Sequence, residues 1–242
     1  MSKSVSQFKD FCPEMTLEQH KSIDNYLDYF APPGEANSYL NYFYRLYWLA
    51  TRSNAKRVIE LGCLPGGSGI ALLYAMEKTD GQLWSCDIEP VDIKNMATNG
   101  VVNTSRRTMV CSKAHDYGKW WEAHNMGLVD LIYLDAGHGY EDTYSEIKAW
   151  LPNLKEGGLL VFHDVEACKT VLQAITEIII HPPGPQFHHF EYHHFPDCHG
   201  HGVLQFYSRS TVDGSSKNED ILSLTSLLLE TSNTAPTKKR KK

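Results

Sequence analysis

From Lys56 to about Ile180 the chain alternates short apolar runs with segments of helical periodicity, and this alternation limits its fold more than any other feature. The runs are Arg57–Leu61, Leu83–Cys86, Thr108–Cys111, Leu131–Leu134 and Leu159–Phe162, each with a Gly, Asp or Ser at or just past its end. Helical segments such as Gly69–Lys78 and Glu141–Leu154 separate them. Largely apolar strands between helices predict a parallel sheet covered on both faces. The order β-α-β-α-β-α-β-α-β predicts a doubly wound α/β fold. After a further helix over about Glu166–Ile180, two extended runs, Phe187–Phe195 and Gly202–Tyr207, predict an antiparallel hairpin.

Three regions follow from these patterns. Residues 1–54 read as an N-terminal helical extension. A helix over Thr16–Phe30 carries Ile23, Tyr26, Leu27 and Phe30 at helical spacing, with Thr16 followed by Glu18 and Gln19 as a capped start. Ala31-Pro-Pro-Gly34 breaks that helix, and a second over Glu35–Arg52 carries the stripe Tyr39, Leu40, Phe43, Leu46, Tyr47 and Ala50. The stripe predicts packing on the main domain. Its aromatic content also suits a substrate lid or an arm joining a homo-oligomer. Residues 55–208 read as the main domain. Residues 209–242, rich in Ser, Thr, Asn and Lys, read as a mostly disordered tail, with one short apolar stretch at Ile221–Leu229.

Composition narrows the function. Apolar residues are 42 % and charged residues 21 % of the 242, which excludes disorder over the whole chain. No apolar stretch is long enough for a membrane helix, and MSKSVSQFKDF lacks the apolar core of a secretory signal. Six spread cysteines without a CxxC pair read as reduced thiols in a cytoplasmic setting. Removing the +5 of Lys238–Lys242 from the formal −6 leaves −11. A body that acidic repels phosphate backbones, so a small-molecule partner is expected rather than nucleic acid. The basic end resembles a nuclear-import cluster and equally an ordinary solvated tail.

The first strand runs into Val58-Ile-Glu-Leu-Gly-Cys-Leu-Pro-Gly-Gly-Ser-Gly69 and then a helix. Gly62 allows a sharp turn, and Gly66 and Gly67 allow a ligand close to the backbone, where helix N–H groups suit a carboxylate or phosphate. No Lys-Ser/Thr follows, and the spacing differs from G-x-G-x-x-G. Glu60, two residues before the first glycine, suits a cation. S-adenosylmethionine carries an ammonium and a sulfonium. Asp87 at the second strand tip can accept hydrogen bonds from ribose hydroxyls, with Glu89 as competitor and a solvated loop acid as the plain alternative.

Glu60-x-Gly62-x-x-x-Gly66-Gly67-Ser68 followed by Asp87 resembles motifs I and II of class I S-adenosylmethionine-dependent methyltransferases. Val129-Asp-Leu-Ile-Tyr-Leu-Asp-Ala-Gly-His-Gly-Tyr140 and Ile147-Lys-Ala-Trp-Leu-Pro-Asn-Leu-Lys-Glu-Gly-Gly-Leu-Leu-Val-Phe-His-Asp-Val165 resemble the wording of methyltransferase family 24, related to macrocin-type sugar O-methyltransferases. The resemblance spans about Val58 to Val165. It implies a Rossmann-like methyltransferase fold, a mostly parallel seven-stranded sheet ending in the antiparallel hairpin. It implies S-adenosylmethionine as methyl donor and O-methylation of a small hydroxyl-bearing acceptor, a sugar among the candidates. By position it implies Glu60, Gly62, Gly66, Gly67 and Ser68 around the cofactor's carboxypropyl end and Asp87 on its ribose. The acid usual after the third strand is missing, and Ser112 stands there facing the adenine. Cephalosporin-hydroxylase-like enzymes share the fold and similar acid motifs, and a non-catalytic cofactor-binding protein is the rival from another class.

Asp135 and Asp164 end the fourth and fifth runs, where ligands bind in such sheets. With His163 they suit Mg2+ or Mn2+, which would lower an acceptor hydroxyl's pKa. The family's relatives often carry an acid at the place of Gly137 and two adjacent acids where this chain has His163-Asp164. In the competing reading Asp135 orders the sulfonium region and His138 is the general base. In the plainest, His138 and Tyr140 cap a helix. His188, His189, His193, His194, His199 and His201 crowd the hairpin, but strand alternation divides them between two faces. Partly exposed strand histidines are expected there, with one of them open to the acceptor pocket.

Overall fold

The computed structural model describes Cys12 and residues 14–31, 34–93, 102–184 and 189–207. The expected tail, its basic end and His188 lie outside these residues. Among the described residues two helices come first, α1 (Leu17–Phe30) and α2 (Ala36–Arg52). Thr16 starts α1 through a full capping box: its side chain accepts from the Gln19 N–H while the Gln19 side chain takes the Thr16 N–H.

The sheet then builds as β1 (Arg57–Leu61), α3 (Gly67–Thr79), β2 (Gln82–Asp87), β3 (Arg107–Cys111), α4 (Ala114–Ala123), β4 (Val129–Leu134), α5 (Tyr140–Trp150), β5 (Leu154–Phe162) and α6 (Lys169–Ile180). The hairpin is β6 (His189–Phe195) and β7 (His201–Tyr207). All seven strands form one sheet in the order β3-β2-β1-β4-β5-β7-β6. The neighbours from β3 to β5 are parallel, and β7 lies antiparallel between β5 and β6. This is the doubly wound sheet with its terminal hairpin.

Register brings the strand tips level. Leu61 pairs with Leu134, and Leu134 with Phe162. The ladder continues past the tips, with the Asp135 N–H on the Leu61 carbonyl at 2.7 Å and the His163 N–H on the Leu134 carbonyl at 3.1 Å. Gly62, Asp135 and His163 therefore stand side by side at one edge of the sheet.

Strand alternation sorts the core into two layers. Val58, Leu131, Tyr133 and Val161 face a layer containing Leu46, Tyr47, Leu49 and the α3 residues Ile70 and Leu73. Ile59, Ile132, Leu160 and Phe162 face Trp121, Trp150 and Ile175. The N-terminal helices thus share one core with the sheet.

Three boundaries differ most from the sequence reading. Helix α6 starts at Lys169 because the N–H groups of Glu166 and Ala167 turn to the His199 carbonyl at 3.0 and 3.1 Å. Strand β5 begins at Leu154, through polar Lys155-Glu156 and Gly157 at φ +73°, where the β4–β5 register shifts. Helix α5 ends at Trp150, and Pro152 sits in a tighter turn over Leu151–Asn153. Among the described residues, no helix is long and apolar enough to cross a membrane.

Candidate active site

The β1–α3 turn is packed against its neighbours on both sides. A Cβ at Gly62, whose φ is +79°, would lie 2.1 Å from the Asp135 carbonyl oxygen, so only glycine lets β1 and β4 exits pass this closely. Gly66 caps α3 at φ +102°. At Gly67 the near neighbours are rings of the N-terminal helices, with Phe43 Cζ 2.4 Å and Tyr26 Cε1 2.8 Å from an added Cβ.

Glu60 is fully buried behind this turn. It accepts from Ser68 Oγ at 2.6 Å and from Ser85 Oγ, which in turn receives Arg107 Nε at 2.8 Å. Burial pushes its carboxyl above the ordinary range against the pull of Arg107 and the two serines. Glu60, expected at the cofactor's carboxypropyl end, braces Ser68, which faces the cavity described below.

Asp87 accepts the Cys63 N–H at 2.8 Å and the Glu89 N–H at 3.3 Å, so its carboxylate lies against the glycine turn. The Ser112 N–H reaches the Asp87 carbonyl at 2.9 Å, and Ser112 Oγ donates to the Lys113 carbonyl at 3.1 Å. These two sit together at adjacent strand tips and do not line the cavity described below.

The acids after β4 and β5 meet as the parallel pairing requires. Asp135 Oδ2 accepts from the Tyr133 hydroxyl at 2.8 Å, and Oδ1 faces His163 Nδ1 at 3.1 Å and His138 Nε2 at 3.5 Å. Asp164 holds His138 Nε2 at 2.9 Å and His163 Nδ1 at 3.3 Å. Asp164 itself has φ +57°, a strained backbone that points its carboxylate back at the cluster.

Charges in the cluster reinforce one another. Hydrogen bonds to Asp135 and Asp164 push the His138 imidazole up to about 10. Burial pulls His163 down, yet the same two carboxylates hold it at about 12. Burial works against ionisation of both acids, but the two imidazoles win and keep Asp135 and Asp164 below the usual carboxylate range.

Ligand atoms of Asp135, His138 and Asp164 all lie within 4.8 Å of one another. The compact set thus contains His138, expected as the base, rather than His163, expected as a ligand. His163 grips both carboxylates through Nδ1 and turns Nε2 to Cys198 Sγ at 3.7 Å.

A cavity of about 460 Å³ opens above the cluster, within the range of small-molecule sites. Its floor is Ser68, Asp135, His138, His163 and Asp164. Tyr26, Phe30, Tyr39, Tyr42 and Phe43 of α1 and α2 form the opposite wall, and His199 closes one side. His199 is turned there by a left-handed run, with φ +48° at Cys198, +64° at His199 and +87° at Gly200. His201, expected as partly exposed, is 1 % exposed, and burial together with Arg45 holds its ring neutral. Only some of the other hairpin histidines match the expectation; His194 does, half-exposed beside Glu166 at 3.4 Å.

Residues 59–165, from β1 to just past β5, match a family model described as a methyltransferase domain, Methyltransf_24. That stretch is thus similar to a methyltransferase domain. No curated protein sequence matches it. Solved methyltransferases share its fold. An O-methyltransferase from Bacillus cereus in complex with SAH superposes with a TM-score of 0.59 at 15 % identity, covering 83 % of this chain and 96 % of its own. TomG of Streptomyces achromogenes, an O-methyltransferase of tomaymycin synthesis in complex with SAM, gives 0.59 at 15 % identity over 86 % and 100 %. The SAH-bound methyltransferase PaMTH1 of Podospora anserina gives 0.58 at 14 % identity over 85 % and 96 %. The matched segment supplies the cavity floor, while most of the facing wall comes from outside it.

Proposed function

We propose that the protein transfers a methyl group from S-adenosylmethionine to a hydroxyl oxygen of a small acceptor. The observation that carries this reading is one cavity joining two chemistries. Ser68 of the glycine turn and the Asp135–His138–Asp164 cluster line the same cavity. The cofactor-bound O-methyltransferases that share the fold support the donor. Asp87 and Ser112 would hold the ribose and adenine outside that cavity, and Ser68 the amino-acid end. The enzyme's main work is to align acceptor oxygen and methyl carbon.

Two carboxylates and one imidazole, clustered on a cavity floor, fit a divalent ion such as Mg2+ or Mn2+. Asp135, His138 and Asp164 would hold it, and the bound ion would lower the acceptor hydroxyl's pKa. His163 would keep both carboxylates oriented from behind. The same geometry disfavours His138 as general base. Holding the ion through the Nε2 lone pair, His138 would be neutral and could not also take the acceptor's proton.

Calorimetry with S-adenosylmethionine, then turnover on a panel of sugars and other hydroxylated acceptors, tests the reading. Activity should fall with a chelator and return with Mg2+ or Mn2+, and Asp164→Asn should abolish that response. Failure to bind S-adenosylmethionine defeats the proposal as a whole. Full activity in chelator defeats the ion alone.

A further inference from the structure

Tyr42 lies on α2, outside the matched domain, yet it ends at the carboxylate on the cavity floor. Its ring is parallel to the buried His201 ring, 4.6 Å away at 4°. Its hydroxyl bonds to the Tyr133 hydroxyl, and Tyr133 bonds Asp135 Oδ2 at 2.8 Å. The direction of this chain follows from counting protons. The Asp135 carboxylate, ionised beside two imidazoles, can only accept. Tyr133 therefore spends its single hydrogen on Asp135, and Tyr42 must donate to the Tyr133 oxygen. Hydrogen bonds aligned this way polarise one another.

The anchor behind Tyr42 is also built. His201 Nδ1 meets Arg45 Nη1 at 2.7 Å, and Arg45 is one helical turn from Tyr42 on the same face. Both oxygens of Asp197 hold the Arg45 guanidinium, which lies 4.2 Å over the Phe195 ring. A phenylalanine would fill the space of the Tyr42 ring equally well. Only the hydroxyl explains the chain to Asp135, because a buried hydroxyl is costly unless bonded.

We propose, building on the methyl-transfer reading above, that Tyr42 is a positioning residue: through Tyr133 it fixes the Asp135 carboxylate, which makes the N-terminal helices a working part of the active site. Asp135 Oδ2 faces Tyr133 while Oδ1 serves the imidazoles, so the two tyrosines determine how the carboxylate is rotated.

Two readouts test this. The first is kcat and KM of Tyr42→Phe, Tyr133→Phe and the double variant. The second needs no acceptor: NMR of 15N-histidine-labelled protein reads solvent exchange of the His163 Nδ1–H that Asp135 holds. Loss of one hydrogen bond predicts a kcat about fivefold lower in Tyr42→Phe, with KM for S-adenosylmethionine changed less than about twofold. The His163 proton should exchange faster in both single variants. The double variant should be no worse than Tyr133→Phe, since Tyr42 acts through it. Multiplying losses in the double variant, or an unchanged His163 exchange rate in Tyr42→Phe, would overturn the proposal. If the unaltered enzyme methylates nothing, the methyl-transfer reading fails, while the exchange rate still decides whether Tyr42 holds Asp135. Tyr133→Phe approaches the same bond from the sheet, so a folding defect at Tyr42 does not remove the test.

Discussion

Arg45→Leu is the substitution whose consequence the structure defines most sharply. The guanidinium is 6 % exposed and its partner Asp197 20 % exposed, with contacts at 2.7 and 2.9 Å. Leucine fills part of the volume but strands Asp197 and releases His201. Breaking a buried pair from one side typically costs about 3–5 kcal/mol. Asp197 keeps some access to water, which places the expected loss near the lower end, about 3 kcal/mol. For a chain of this size that corresponds to a Tm lower by roughly 6–12 °C. Urea unfolding followed by circular dichroism, with thermal melting in parallel, measures both. Adding Asp197→Leu should recover part of the loss, because the stranded charge is then gone. A loss under about 1 kcal/mol would show that the pair is solvated and screened like a surface ion pair. A double variant with the summed loss of both singles would show that the two groups do not act together.

Three further outcomes are expected. Gly62→Ala places a methyl 2.1 Å from the Asp135 carbonyl oxygen in a left-handed backbone, and should destabilise by more than about 4 kcal/mol in denaturant titration; near-normal stability would contradict the close approach of β1 and β4. Asp87→Ala should weaken S-adenosylmethionine binding by about 1–3 kcal/mol in calorimetry, and unchanged affinity would remove Asp87 from the site. In the folded protein His138 sits at about 10 and His163 at about 12, both raised above the 6.5 of a free imidazole. Their stabilisation is complete below about pH 6.5 and is lost as pH rises through the folded values. The urea midpoint should therefore decline from pH 7 to pH 10, less steeply in His138→Ala, and equal slopes would remove His138 from the linkage.

What the sequence revealed of this site followed from periodicity and strand ends. Apolar runs closing on Gly62, Asp87, Asp135 and His163-Asp164 place those groups at strand tips, and parallel pairing makes the last two tips neighbours. Side-chain direction beyond a tip has no such period. His163 adjoins Asp164 in sequence and was the natural ligand, yet it turns Nδ1 back between the carboxylates, while His138 enters from the loop before α5. The hairpin histidines were ambiguous for a related reason. Strand alternation divides them by face, but His199 owes its direction to a left-handed turn, and His201 its burial to Tyr42. On α2 the stripe through Tyr39, Phe43 and Leu46 described core packing, and Tyr42 and Arg45 lie beside it. A helix whose two adjoining faces both hold large side chains looks the same in sequence whether it fills a core or roofs a cavity. The early start of β5 was hidden by Lys155-Glu-Gly-Gly, which reads as a turn until Lys155 is seen paired with Asp130 at 2.5 Å.

The cavity's two walls have different addresses along the chain. The floor comes from the stretch between β1 and β5, and the roof from α1, α2 and the turn at His199. Inheritance can therefore act on them separately. Point changes at Tyr26, Phe30 or Tyr39 would reshape the space offered to an acceptor while the glycine turn and its buried brace at Glu60 stay as they are. Chimeras that exchange residues 12–52 between proteins of this architecture should carry acceptor preference with the transplanted piece. Gly67 limits that freedom: Phe43 and Tyr26 press so closely on it that the exchanged segment must bring rings of matching shape to these two positions.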